Sequence, residues 1–213
     1  MIYVRTCVRT QVRSLLRNML RSKVSSKKYL VVMENGKNYK IIRLEEVVST
    51  NVEAKKLAAG GAAAWNVVVA KKQTGGYGRK GDDWESPEGG LYFSVILPKS
   101  NVEDLRIATI LAAFCVANAV KEQFGVEPMI KLPNDVYLNG KKICGILMEN
   151  VISGEVKSSV IGIGVNANIG ELSPELEKTA TSLKMELAAE VDNSALLEQI
   201  IIQLQNVFKA ISQ

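Results

Sequence analysis

The chain has 213 residues, of which 47% are hydrophobic and 23% charged, the proportions of a soluble globular protein with one main core. It contains no histidine, which excludes Ser-His-Asp and Cys-His nucleophile systems, His-ligated zinc and imidazole acid–base chemistry. The formal net charge of +5 is unevenly placed, because residues 1–28 carry Arg5, Arg9, Arg13, Arg17, Arg21, Lys23, Lys27 and Lys28 without a single acid.

We read residues 1–28 as a basic, partly helical, solvated extension in preference to an arm for nucleic acid, so DNA is not an expected partner. The segment lacks the apolar centre of a secretory signal and no apolar run is expected to cross a bilayer, which predicts a cytoplasmic protein with no membrane contact. Cys7, Cys115 and Cys144 lack metal-site spacing and read as reduced thiols. Tyr29 to Met33 and Tyr39 to Leu44 flank Asn35-Gly36, a hairpin signal. Thr50-Asn51-Val52-Glu53 has the form of a capping box opening a helix through about Ala64. Trp65 to Ala70 predicts a buried strand. Beyond a glycine-rich loop, Leu91 to Leu97 predicts another, stopped by Pro98. A long apolar helix is predicted from about Val102 to Phe124, ended by Gly125. Pro128 to Lys131 predicts a short strand halted at Pro133-Asn134. Val136 to Leu138 and Ile143 to Asn150 flank a second hairpin signal, Asn139-Gly140, and Val156 to Val165 predicts one more strand. The spacing of Leu196, Leu197, Ile200, Ile201, Leu204, Val207, Phe208 and Ile211 predicts an amphipathic helix whose apolar face needs a core to cover it. Hairpins interspersed with long helices predict an α/β protein of the α+β type, a mixed β-sheet backed by helices, and not a regular βαβ winding.

Two polar constellations carry the chemistry. In Lys72-Gln73-Thr74-Gly75-Gly76-Tyr77-Gly78-Arg79-Lys80-Gly81-Asp82-Asp83-Trp84 the glycines allow sharp turns with exposed N–H groups, and Arg79 and Lys80 add charge, a natural seat for phosphate. About fifty residues on come Lys131-Leu132-Pro133-Asn134-Asp135 and then Lys142. Together they predict a site for an anionic, phosphate-bearing compound, worked by Lys, Arg, Asp, Glu, backbone amides and Mg²⁺.

Ser49-Thr50-Asn51, Gln73-x-x-Gly76-x-Gly78-Arg79-x-Gly81-x-x-Trp84-x-Ser86-Pro87, Lys131-x-Pro133-Asn134-Asp135, Gly140-Lys141-Lys142-Ile143-x-Gly145-Ile146-Leu147-x-Glu149, Gly162-x-Gly164-x-Asn166 and Ala180-Thr181-Ser182-Leu183 follow one another in an order and spacing that resembles the catalytic domain of a biotin protein ligase over about residues 41–213. The resemblance implies a class II aminoacyl-tRNA synthetase-like fold for residues 29–213. It implies a two-step ligase that makes biotinyl-5'-AMP from biotin and ATP, then transfers biotin to a lysine of a biotin carboxyl carrier protein of acetyl-CoA or propionyl-CoA carboxylase. It also implies roles. Ser49, Thr50, Asn51, Gln73, Gly76, Tyr77, Gly78 and Gly145 would surround biotin, with Gly145 leaving room for its flat ring. Arg79 would clamp the carboxylate and α-phosphate. Lys142 would stabilise charge there, and Lys131 would reach phosphate oxygens. Lys80, Trp84, Asn134 and Asn166 would lie on the nucleotide side. Asp135 would orient or deprotonate the acceptor lysine and help hold Mg²⁺.

The loop departs from the family's usual Gly-Arg-Gly-Arg-x-Gly-Arg, with Tyr77 at the first Arg and Asp82 at the third. Loss of a charge-assisted hydrogen bond there implies adenylate retention weaker by roughly 1–3 kcal/mol. Leu132 stands where the family usually has Trp. A full DNA-binding winged helix and a C-terminal β-barrel domain are not expected, and a homodimer is implied by family habit alone. Two other readings compete: a biotin-binding sensor or degenerate ligase, and a lipoate or octanoyl transferase relative, whose usual histidine motif this chain lacks.

Overall fold

The structure, a computed structural model, describes residues 29–32, 39–98, 105–153 and 156–211; the expectations for residues 1–28 and for the Asn35-Gly36 turn lie outside them. Strand β1 (Tyr29–Val32) pairs antiparallel with β2 (Lys40–Val47). Helix α1 (Thr50–Ala59) then crosses over to β3 (Asn66–Gln73), which lies parallel to β2. The helix is shorter than its sequence suggested. Gly60 ends it and Gly61 follows at φ +82°, so Ala62 to Ala64 lie outside it. Trp65 is not in the strand either: it takes φ +63° and sets its ring edge-on to Phe208, centroids 6.3 Å apart.

Strand β4 (Leu91–Leu97) pairs antiparallel with β3, and α2 (Leu105–Phe124) ends at Gly125, φ +68°, as the sequence predicts. Next come β5 (Met129–Lys131), β6 (Asp135–Leu138), β7 (Lys141–Ser153) and β8 (Val156–Val165). Asn139 and Gly140 both have positive φ, +50° and +80°, the signature of the tight turn that joins β6 to β7. No pattern in the sequence announces the short helix α3 (Leu183–Leu187), whose N-terminus is capped by the Ser182 side chain accepting from the Met185 N–H. Helix α4 (Asn193–Ile211) closes the fold. The strands make one mixed eight-stranded sheet in the order β1-β2-β3-β4-β8-β7-β6-β5.

Both faces of the central strands are buried, which explains their near-continuous apolar runs. Val67, Val69, Phe93, Val95, Ile161 and Ile163 face the layer of α2 and α4, where Ala112, Val116, Val120, Leu197, Ile201 and Leu204 meet them. Val68, Ala70, Ile96 and Val160 turn to the other side, against Ala54, Leu57 and Ala58 of α1. By length and mean hydropathy (1.3 over Ile107–Phe124) α2 could span a bilayer, which corrects the expectation that no run would reach that length. Its Ala108, Ala112, Val116, Ala119 and Val120 are fully buried in the core, the position of a central helix in a globular domain.

Alternation along the strands positions the site. Helix α1 covers only part of its face of the sheet. On the same face, cross-strand pairing places Ser94, Gly162 and Leu147 in one row and Tyr92, Gly164 and Gly145 in the next. These rows are the floor of a cleft.

Candidate active site

The cleft encloses about 360 Å³ between the N-terminus of α1, the glycine-rich flap after β3, the β5–β6 turn and the start of β7. Its floor is glycine because other side chains occupy the space. A Cβ on Gly162 would come within 2.2 Å of Asn51 Oδ1, and one on Gly164 within 2.6 Å of Trp84 Nε1. The room at Gly145 is likewise taken by the Trp84 indole (2.9 Å to Cζ3), not left for a ligand ring as the sequence reading had it.

One end of the cleft is tied by a continuous network. Ser94, fully buried, donates its hydroxyl to Asn51 Oδ1 (2.6 Å) and lies 2.8 Å from Thr50 Oγ1. Asn51 Nδ2 donates to Glu149 Oε2 at 2.8 Å. Glu149 pairs with Lys55 at 2.7 Å and accepts from the Tyr77 hydroxyl at 2.8 Å, while Lys55 Nζ also donates to that hydroxyl at 3.2 Å. Burial alone would raise the Glu149 pKa. The hydrogen bonds from Lys55, Asn51 and Tyr77 and the charge of Lys55 outweigh it and hold the carboxyl below its ordinary value. For Lys55, burial pulls the pKa down, and the bonds to Glu149 and Tyr77 with their charges carry it above the ordinary lysine value. Burial, then the bond to Glu149, raises that of Tyr77 despite the opposing Lys55. The resting state is therefore carboxylate, ammonium and neutral phenol.

The helix start differs from a capping box. Ser49 is the N-cap and its side chain makes no capping bond. Instead the Gln73 side-chain carbonyl accepts from the Thr50 N–H (2.8 Å) and contacts Thr50 Oγ1 (3.2 Å), while Gln73 Nε2 donates to Ser86 Oγ (2.8 Å). Glu53 is turned instead toward Lys56, at 3.0 Å. A side chain from the end of β3 thus supplies the cap that local sequence seemed to provide, and it anchors the base of the flap to α1.

The opposite end is cationic and open. The flap folds back through a Tyr77–Asp83 bridge and a single turn, Arg79–Gly81, with Lys80 at φ +61°. Arg79 and Lys80 are exposed, and Arg79 Nη1 donates to Asn134 Oδ1 at 3.2 Å. Asn134 in turn donates to Asp135 (3.0 Å), which pairs with Lys142 at 2.8 Å. Lys142 Nζ lies 5.1 Å from the Trp84 ring centroid, a cation–π contact. Beyond Trp84, Asp135 and Lys142 a second basin of about 260 Å³ opens, walled by Tyr137, Asn166, Ile169, Leu172 and Leu176.

Ser49, Thr50, Asn51, Gln73, Tyr77, Gly78, Arg79, Lys80, Trp84, Asn134, Asp135, Lys142 and Gly145 all line the cleft. Gly76 backs it: a Cβ there would strike Trp84 O at 2.5 Å and Ser86 Oγ at 2.7 Å. Asn166 lies in the second basin, with Nδ2 given to Thr181 O at 3.0 Å. Lys131 lines neither cavity. It is exposed on β5 with its ammonium 5.2 Å from the Tyr137 ring, so its predicted reach to phosphate is not realised in this arrangement. Sequence reasoning missed Ser94 and Lys55 and gave Glu149 no role. A serine inside the apolar run Leu91 to Leu97 was the available signal, since a buried hydroxyl needs a partner. Cys115 and Cys144 are free and buried. Burial raises both thiol pKa values, that of Cys115 to about 12, as befits inert structural thiols.

A family model described as the biotin/lipoate A/B protein ligase family matches residues 44–166, more than half of the chain. The chain belongs to that family. Within it the likeness is to the biotin protein ligase catalytic domain. The bifunctional ligase/repressor BirA of Bacillus subtilis is 36% identical over 166 residues, 76% of this chain and 51% of that protein. The biotin–[acetyl-CoA-carboxylase] ligase of Paracoccus denitrificans is 40% identical over 123 residues, 55% of this chain and 50% of the relative. The chain spans about half the length of these curated relatives. Among solved structures, the biotin protein ligase of Aquifex aeolicus in complex with biotin and ATP superposes with a TM-score of 0.73 at 31% identity, covering 81% of this chain and 71% of that one. The ligase of Leishmania major in complex with biotinyl-5-AMP gives 0.69 at 27%, covering 81% and 76%.

Proposed function

We propose that this chain joins biotin to ATP and passes the biotinyl group to a lysine of a carrier protein. The observation that carries the reading is the convergence of five of the six separated motifs on one cleft, with Arg79 and the Lys142–Asp135 pair placed together at its open end. Biotin would lie at the networked end and the adenine in the second basin, against the free face of Trp84 and beside Asn166.

A biotin carboxylate is already ionised at neutral pH, so the first step asks for no base. An oxygen of that carboxylate attacks the α-phosphorus of ATP, the bond to the bridging oxygen breaks, and pyrophosphate leaves with its electron pair. The site's work is to hold two anions together and to meet charge as it develops. Arg79 does so as a planar fork suited to carboxylate and phosphate oxygens, and Lys142 as a compact ammonium. In the second step the amine nitrogen of a carrier lysine attacks the acyl carbon, the carbon–oxygen bond to AMP breaks, and the amine proton passes to Asp135. Lys142 must move off Asp135 to serve the first step, and that same movement frees the carboxylate for the second.

Among the described residues no group of three or more His, Cys, Asp or Glu could cage a metal. Mg²⁺ therefore fits here as an ion carried in by ATP, with Asp135 as its protein carboxylate, neutralising phosphate charge when bound. We further take residues 29–213 as the catalytic unit, a cytoplasmic setting, a biotin carboxyl carrier protein as acceptor, and self-association through sheet edges as parts of the same reading.

The test is purified protein with biotin, ATP, Mg²⁺ and a carrier domain. Biotin-dependent pyrophosphate release and a carrier heavier by one biotinyl group are expected. Biotin binding without pyrophosphate release would favour the sensor, and equal use of octanoate or lipoate would favour the transferase relative.

A further inference from the structure

Tyr77 is a flap residue whose hydroxyl reaches across the cleft into a hydrogen-bonded ion pair of the scaffold, where Trp84 meets the sheet by packing. It sits between Gly76 and Gly78, half-buried, and its hydroxyl enters an ion pair formed by α1 and β7: 2.8 Å to Glu149 Oε2 and 3.2 Å from Lys55 Nζ. The ammonium also lies 5.8 Å from the centre of the Tyr77 ring. The acceptor is well fixed, because Glu149 is held by Asn51, which is held by the fully buried Ser94. A single phenol thus joins the flap to three elements of the scaffold.

We propose that Tyr77 is a positioning residue that latches the flap shut before any substrate arrives. A flap closed only by Arg and Lys needs an anionic ligand to neutralise it, and without one the cations repel each other and favour water. A neutral phenol has no such requirement. It completes a balanced Lys55–Glu149 pair and replaces water on both groups with a hydrogen bond to each. An arginine at position 77 would bring a second cation against Lys55. The chain therefore exchanges ligand-driven closure for closure built into the protein. Arg79 and Lys80 are set over the cleft in advance, which lowers the ordering cost that substrate binding must otherwise meet. In catalysis the latch acts through Arg79: it slows escape of the acyl-adenylate without touching the reacting atoms, and in that respect it rests on the function proposed above.

Trypsin reads the latch directly, since Arg79 and Lys80 are exposed cleavage sites within the flap. The comparison is the ligand-free full chain against Tyr77→Phe, which removes one hydroxyl and keeps the ring. Cleavage after Arg79 and Lys80 is expected to be about tenfold faster in the variant, the factor for one hydrogen bond to a charged group. Saturating biotin and ATP should bring both proteins to the same slow rate. Thermal melting of the two should agree closely, which separates flap opening from loss of fold. Dissociation of biotinyl-AMP should be faster in the variant by a similar factor. Glu149→Gln, which keeps an acceptor for the phenol, should restore most of the protection that Glu149→Ala loses. Equal ligand-free cleavage of wild type and Tyr77→Phe would overturn the latch even if pyrophosphate is released. Slow cleavage that depends on Tyr77 in a protein releasing no pyrophosphate would sustain the latch and overturn the ligase reading.

Discussion

The two ends of the cleft are built on opposite plans. At one, Ser94, Thr50, Asn51, Glu149, Lys55 and Tyr77 hold one another through bonds of 2.6 to 3.2 Å, with each charge matched inside the protein. At the other, Arg79 and Lys80 face solvent, and the Arg79 guanidinium donates to a neutral amide, that of Asn134. The first end can recognise a ligand by fixed geometry and gains little from a ligand's charge. The second is indifferent to shape and waits for charge. A molecule with a compact polar head and an anionic tail that becomes more charged during reaction would meet both in turn. Substitutions at the open end should therefore alter rate with little change in stability, whereas those in the scaffold of the networked end, at Ser94, Asn51, Glu149 or the glycines beneath them, should alter stability and binding together.

The largest effect is expected at Lys142. Lys142→Met removes the ammonium beside the reacting phosphate and should lower pyrophosphate formation by roughly 10²- to 10³-fold, the usual consequence of deleting a preorganised electrostatic donor. Its pair with Asp135 is partly exposed, 26% and 21%, so stability should change by less than about 1 kcal/mol. A large drop in melting temperature would show that the open end is structural after all. Gly162→Ala probes the opposite end. The new Cβ would fall 2.2 Å from Asn51 Oδ1, and Asn51 cannot retreat without breaking its bonds to Ser94 and Glu149. Overpacking of this kind costs about 1–3 kcal/mol, or several degrees in a chain of this size, and biotin affinity should fall with it. Gly145→Ala is the control for shape alone. It meets the edge of the Trp84 ring at 2.9 Å and Lys142 Cε at 3.4 Å, neither of them a hydrogen-bonding atom, so it should cost less.

Much of this division was legible in the sequence wherever the cause was local. The Asn139-Gly140 turn, the span of β8, the stop at Gly125 and the apolar face of α4 all follow from patterns a few residues long, and the structure keeps them. Most cleft residues were also legible, because their motifs are contiguous. What escaped was pairing over long separations. Gln73 caps a helix that begins 23 residues earlier, and Tyr77 and Lys55 meet Glu149 across 72 and 94 residues. Thr50 and Glu53 have the right spacing for a capping box, but Gln73 binds Thr50 from 23 residues away and Glu53 pairs with Lys56 of its own helix. The motif at Gly145 suggests room for a ligand because its own position shows no hint of Trp84. Lys131 shares a motif with residues of the cleft, yet the short β5 carries it outward at the edge of the sheet.

A smaller effect is expected at Arg79. Arg79→Gly removes the exposed fork and its contact with Asn134, so melting should move by less than about 0.5 kcal/mol in stability terms. Dissociation of biotinyl-AMP should quicken by about tenfold, the worth of one charge-assisted bond, with a matching rise in labelling of bystander lysines. Unchanged retention would reject Arg79 as the clamp.

The smallest effect concerns pH and belongs to the networked end. The Glu149 carboxyl titrates below its ordinary value of 4.5, so the stability it contributes is complete above that value and is lost as pH falls through the lowered one. The Lys55 ammonium titrates above its ordinary 10.5, so its contribution is complete below that value and is lost only as pH rises through the raised one. Between these limits the pair holds a constant charge, and flap closure should not vary with pH across the range in which a histidine latch would switch. Glu149→Gln should therefore melt below the wild type by an amount on the order of 1 kcal/mol at neutral pH. That difference should stay level down to about pH 4.5 and close below it as the wild-type carboxylate takes up its proton. A gap that instead narrowed around neutrality would mean that a group outside the Lys55–Tyr77–Glu149 cluster sets the charge of this end of the cleft.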